Sequence, residues 1–179
     1  MHLMLDIETL STHSDAAVVA IGCAAFDTDG TVRSYGWRAR PDEWHGHIDP
    51  LTVKWWMTQS AEARHATFDG NASGALVAAQ LSELLAAYAP TQVWANDLSF
   101  DIAILRNWWS RVAATPFPIS YKTEQSCRTL YALAKRYGID YSAAYANAVA
   151  HDALSDAYCQ ARAVILIHTA LDNLAGRLA

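Results

Sequence analysis

His2-Leu3-Met4-Leu5-Asp6-Ile7-Glu8 is the stretch that decides the fold. Its alternating character reads as a β-strand with one face against a core. Successive side chains of a strand point to opposite faces, so Asp6 and Glu8, two apart, share one. Two carboxylates on an otherwise apolar first strand are costly unless they are paired or bound to a metal. Outward from this strand, residues 17–27 read as a second, buried strand, and Asp29-Gly30 supplies a hairpin turn. A third strand follows at about 31–39. The three form an antiparallel meander.

Helical patterns follow. Asp49-Pro50 offers an N-cap and first-turn pair for a helix through Trp55 and Trp56. Ser73 caps a helix with Val77, Leu81, Leu84, Leu85 and Tyr88 on one face. Val93-Trp94-Ala95 reads as a short strand. Ser99 is the expected cap of a helix that turns Ile102, Leu105, Trp109 and Val112 inward. Beyond Pro116 and Pro118 a helix is predicted over about 126–137. A last one is predicted over about 152–174, with Leu154, Ala157, Tyr158, Ala161, Ile165 and His168 as its stripe. Antiparallel strands followed by alternating helices and short strands predict an α/β sandwich on a mixed sheet. Periodicity alone supports only that α/β class. The 179 residues contain no repeat or linker, which predicts a single domain over 1–179.

Composition sets limits. Hydrophobic residues make up 53% and charged residues 17%, which excludes a disordered chain. No apolar run approaches the length of a membrane span. Asp6 and Glu8 interrupt the apolar core that a signal peptide needs, so a cytoplasmic protein is expected. Cys23, Cys127 and Cys159 are widely spaced and form no metal or disulfide pattern. Net charge is −5, from 13 basic and 18 acidic residues. That balance alone argues against nucleic acid. Setting aside four acids for one metal site leaves the remainder nearly neutral. Residues 102–138 also carry Arg106, Arg111, Lys122, Arg128, Lys135 and Arg136 against Glu124. They are a candidate phosphate-facing region, or simply a solvated basic face.

Two more signals carry chemistry. Asp101 stands where a strand gives way to a helix, a common place for an active site and also a place where an acid suits the helix dipole. Asp97 falls in the turn before it, where Asp is common for local reasons. His151 and Asp156 open the last helix. A five-residue step within one helix would separate them by about 140°, so His151 is placed before the helix and Asp156 within it. Small residues over about 140–150 predict a loop that leaves His151 turned away until substrate binds.

Asp-x-Glu, then Phe-Asp before a helix, then His-x-x-x-x-Asp opening the last helix resembles the three motifs of the DEDDh exonuclease superfamily, over nearly the whole chain. Trp55 to Arg64, Val93-Trp94-Ala95-Asn96 with Phe100 to Arg106, and Cys127-Arg128-Thr129-Leu130 resemble its small bacterial and phage exoribonuclease branch, of mycobacterial type. Ala95 replaces a frequent Gly of that branch, and Ser126-Cys127 replaces an Arg-Asp pair.

The resemblance implies an RNase H-like fold and a 3′→5′ exonuclease, RNA preferred, releasing nucleoside 5′-monophosphates. It implies two divalent cations, Mg²⁺ or Mn²⁺, a choice that hard carboxylate oxygens suit. Asp6 would bridge both ions. Glu8 and Asp156 would serve the ion that binds the nucleophilic water, and Asp101 the other. His151 would be the general base. Thr9 and Leu10 would line the terminal-nucleotide pocket, with Asn96, Phe100 and Arg128 as further substrate contacts. The expected partner is a single strand or a 3′ overhang, and a homodimer is a further expectation. The competing readings are a DNA exonuclease, a proofreading subunit, and a nucleic-acid-binding module without catalysis.

Overall fold

The computed structural model describes residues 1–176. Five strands form one mixed sheet in the order β3-β2-β1-β4-β5. β1 (His2–Thr9), β2 (Val18–Phe26) and β3 (Val32–Arg38) are the expected antiparallel meander. β4 (Gln92–Ala95) pairs parallel to β1, and β5 (Glu124–Ser126) parallel to β4. β5 was not legible in the sequence, because three half-buried polar residues at a sheet edge carry no apolar signal. β2 is buried along its whole length, as a strand covered on both faces must be.

The helices are α1 (Pro50–Thr58), α2 (Ala61–Phe68), α3 (Gly74–Tyr88), α4 (Ala103–Val112), α5 (Cys127–Arg136) and α6 (Ala153–Gly176). Asp49 caps α1 by accepting from the Leu51 N–H at 2.9 Å, and Ser73 caps α3 through Leu76. Leu3, Leu5 and Ile7 of β1 pack with Val77 and Leu81 of α3 and with Leu105 and Trp109 of α4. Met4 points to the other face, where Trp94, Leu130 of α5 and Ala157, Ala161 and Val164 of α6 enclose it. Asp6 and Glu8 follow Met4 in the period of two. The pleat thus delivers both acids to the layer that contains α6. Cys23, Cys127 and Cys159 are buried free thiols. Among the described residues no helix is long and apolar enough to cross a membrane.

Two local expectations are corrected. Ser99 does not cap the helix after β4. Asp97 does: its backbone is still extended and its carboxylate accepts from the Ser99 N–H at 2.9 Å. A π-helical turn, Leu98–Ile102, then leads into α4. The buried stripe of α6 is Ala153, Ala157, Gln160, Ala161, Val164 and Ile167, whereas Tyr158 is exposed. The large apolar side chains misdirected the reading, since this helix buries its small ones. Gly22 gives the reason. It pairs with Asp6 across the sheet, and a Cβ on it would lie 1.8 Å from the carbonyl oxygen of Ala153. The N-terminus of α6 rests directly on the backbone of β2, which brings Asp156 to the acids of β1.

Candidate active site

A cleft of about 670 Å³ opens at the end of β1. It holds Asp6, Glu8, Asp101, Asp156 and His151, all five groups expected to carry chemistry. Asp6 and Glu8 form its floor, each 8% exposed, and Asp101 is 4% exposed on the π-helical turn. The backbone N–H of Asp97 donates to Asp101 Oδ2 at 2.9 Å. The N–H of His151 donates to Asp156 Oδ2 at 3.0 Å. Ligand atoms of Glu8, His151 and Asp156 all lie within 4.8 Å of one another. These three could hold one cation together. Asp6 and Asp101 line the same cleft outside that group.

Thr9, Asn96, Phe100 and Arg128 also line the cleft, as expected. Leu10 does not. It is 5% exposed and packs with Ala17, Val19 and Trp56. Glu8 and Thr9 bracket an irregularity in the pairing with β2, and the side chain after it turns into that core. The apolar wall of the cleft comes instead from α1, through Leu51 and Trp55. Leu51, Thr52, Trp55 and Trp56 stand at helical spacing. That periodicity was available in the sequence as a signal of one shared face. Tyr145 and Gln160 line the cleft too. Gln160 could have been found one turn beyond Asp156, whereas nothing in the sequence marks Tyr145.

His151 faces the acids, contrary to the expectation that it is turned away. Its ring lies edge-on to Trp55 at 4.8 Å between centroids. Its carbonyl accepts from Thr67 Oγ1, a fully buried hydroxyl of α2, at 2.9 Å. Its backbone is left-handed, with φ of 64°, a conformation His tolerates better than most non-glycine residues. The loop before it also has an anchor, because the Tyr145 hydroxyl lies 2.9 Å from that of Tyr131 on α5.

The candidate basic face shrinks to one residue at the site. Arg106 pairs with Glu124, and Arg111 donates to the Ala16 carbonyl at 2.9 Å. Arg128, among these residues, lines the cleft, where it pairs with Asp97 at 2.9 Å. Its side chain remains 67% exposed and available to a phosphate.

Burial dominates the electrostatics, and crowding adds to it at Asp6 and Glu8. Burial, then the charges of Asp101, Glu8 and Asp156, hold Asp6 well above the ordinary carboxylate range. Burial, reinforced by Asp156 and Asp101, pushes Glu8 from 4.5 to about 8. Burial raises Asp101 to about 6 against the pull of the Asp97 and Ile7 amides. Asp156 is raised by burial and held back by the His151 N–H. Without cations, the folded protein therefore keeps protons that the unfolded chain has released. The cluster's contribution to stability is fullest below the ordinary carboxylate pKa and is lost as pH rises towards about 8. Melting in a chelator at about pH 5 and about pH 8 checks this. A higher melting temperature at the alkaline end would contradict the crowding.

Residues 1–168 match the Rv2179c-like family, the 3′-5′ exoribonuclease Rv2179c-like domain. No curated protein matches the chain. The zinc-bound E. coli ExoI–ssDNA complex is similar in structure, with a TM-score of 0.69 and 20% identity over 99% of this chain and 42% of that one. S. pombe Pop2p, in its Mg²⁺- and Mn²⁺-bound form, gives 0.61 and 12% over 94% and 82%. Exonuclease X in complex with 5′-overhanging duplex DNA gives 0.54 and 19% over 95% and 92%. At these identities the likeness is one of fold, and the fold is that of RNase H-like exonucleases. The chain spans about two fifths of the length of the ExoI chain. The family match runs from residue 1 to residue 168 and so takes in every group that lines the cleft; the chain belongs to the Rv2179c-like family of 3′-5′ exoribonuclease domains.

Proposed function

We propose that the protein is a divalent-metal-dependent 3′→5′ exonuclease acting on single strands or 3′ overhangs, with RNA preferred. The observation that carries this reading is the meeting of Glu8, His151 and Asp156 within 4.8 Å, in a cleft shared with Asp6 and Asp101. The donor set fits hard cations. Burial raises the pKa of all four carboxylates, and at Asp6 and Glu8 the charges of the neighbouring acids raise it further. Divalent ions, Mg²⁺ or Mn²⁺, offset those charges. Asp6, Glu8, Asp101 and Asp156 would hold two of them. When bound, they would supply the charge stabilisation and water activation that phosphodiester hydrolysis needs.

The protein's own groups do the rest. The His151 imidazole takes the proton from a water as its oxygen attacks phosphorus. The bond from phosphorus to the 3′ oxygen of the preceding nucleotide breaks, and that oxygen takes a proton from solvent. A nucleoside 5′-monophosphate leaves, and the chain ends in a new 3′ hydroxyl. Leu51 and Trp55 offer an apolar wall for the terminal base, and Arg128 a fork for a phosphate. RNA is favoured by the family's description. DNA is the second reading, favoured by the ligands of the ExoI and exonuclease X structures. The buried, unpaired thiols suit the reducing cytoplasm.

Labelled RNA and DNA oligonucleotides, followed on a gel with Mn²⁺, test the assignment. A 3′-phosphate should block degradation and a 5′-phosphate should not. Rapid internal cleavage of a circular single strand would sink the reading.

A further inference from the structure

Gln160 is an unexpected group on the buried face of α6. It is 6% exposed, one turn beyond Asp156, on a face otherwise made of Ala153, Ala157, Ala161 and Val164. Its Nε2 donates to Asp6 Oδ1 at 2.8 Å. Its Oε1 is buried without a partner. A half-satisfied buried amide costs stability, and an apolar side chain of similar length would fill the space without that cost. Packing therefore does not account for an amide at this position.

Asp6 is the acid that needs holding. Asp101, Glu8 and Asp156 all act on it by charge, so its carboxylate is pushed from several sides. A basic partner would orient it but would also neutralise it and compete with a cation. A fifth acid would add to the repulsion. A neutral amide donor orients the carboxylate and leaves its charge in place. We infer that Gln160 is a positioning residue for Asp6: its hydrogen bond to Oδ1 fixes the carboxylate's orientation and leaves Oδ2 uncommitted by Gln160 for a divalent cation in the cleft. Partners of this kind, behind a metal-binding carboxylate, tune affinity through geometry. The inference rests on the metal-dependent reading of the site.

The test uses Gln160→Leu and Gln160→Met, which keep bulk and lose the donor. Mn²⁺ is titrated into wild type and both variants, by calorimetry and by melting temperature. The expected result is a Mn²⁺ affinity lower by about 10–100-fold in both variants, which remain folded without metal. In an oligonucleotide assay, excess Mn²⁺ should restore much of kcat, and KM should change little. Wild-type binding with unchanged affinity in both variants would overturn the inference. So would a loss of affinity seen only where both variants are unfolded without metal, which would make Gln160 a packing residue. Absence of Mn²⁺ binding by wild type is a separate outcome: it would remove the metal reading itself, and the inference with it.

Discussion

In Asp6→Asn, turnover should fall by more than roughly 10²-fold, since losing even an outer partner of a metal site costs about 10–100-fold. Mn²⁺ or Mg²⁺ should raise the melting temperature of wild type, because the ions bind the folded state. The variant should lose most of that rise. Its metal-free form should be no less stable than wild type, and at about pH 8 somewhat more stable, because the substitution removes the most crowded acid of the cluster. These outcomes differ in sign, which separates a cation site from a merely structural acid. An unchanged metal-induced rise in Asp6→Asn would mean that the ions bind elsewhere.

Replacement of His151 is expected to lower kcat by roughly 10²–10⁴-fold, the usual range for a general base. The left-handed backbone at this position makes Asn a better probe than Ala, since Asn tolerates that conformation. His151→Asn should fold and should still gain stability from Mn²⁺. The short distances to Glu8 and Asp156 also allow the imidazole to be a ligand. In that case the variant would lose cation affinity along with turnover. A third possibility is that the ring serves only to pack against Trp55; the variant would then lose stability and keep its rate. Normal turnover in a folded, metal-binding His151→Asn protein would remove His151 from the mechanism.

The framework was legible because it rests on short periods. The alternation in His2–Glu8 gave the central strand and the shared face of its two acids, and the Asp49-Pro50 and Ser73 signals gave helix starts that the structure keeps. The site was legible as a set of spacings, and the fold brings the five groups to one cleft. What was not legible depends on long-range contact. Leu10 was expected in the nucleotide pocket, and only the irregularity after Glu8 and the presence of Trp56 put it in the core. The inward turn of His151 depends on Thr67, 84 residues away. The small-residue face of α6 follows from Gly22, a residue whose role is invisible without the helix that lies on it.

The hydrogen bond between Asp6 and Gln160 joins residues 154 positions apart. Asp6 leaves the ribosome first, whereas Asp156 and Gln160 emerge only when α6 is made. At about 5–20 residues per second, the interval is roughly 8–30 seconds. Before α6 is made, the face of β1 that carries Met4, Asp6 and Glu8 has only α5 to cover it. The cluster of acids therefore closes only once α6 has been made: no nascent chain shorter than that holds Asp6 and Asp156 together. A chain stopped before residue 153 would leave Met4, Ala24 and Trp94 covered by α5 alone, an apolar face open to chaperones and proteases.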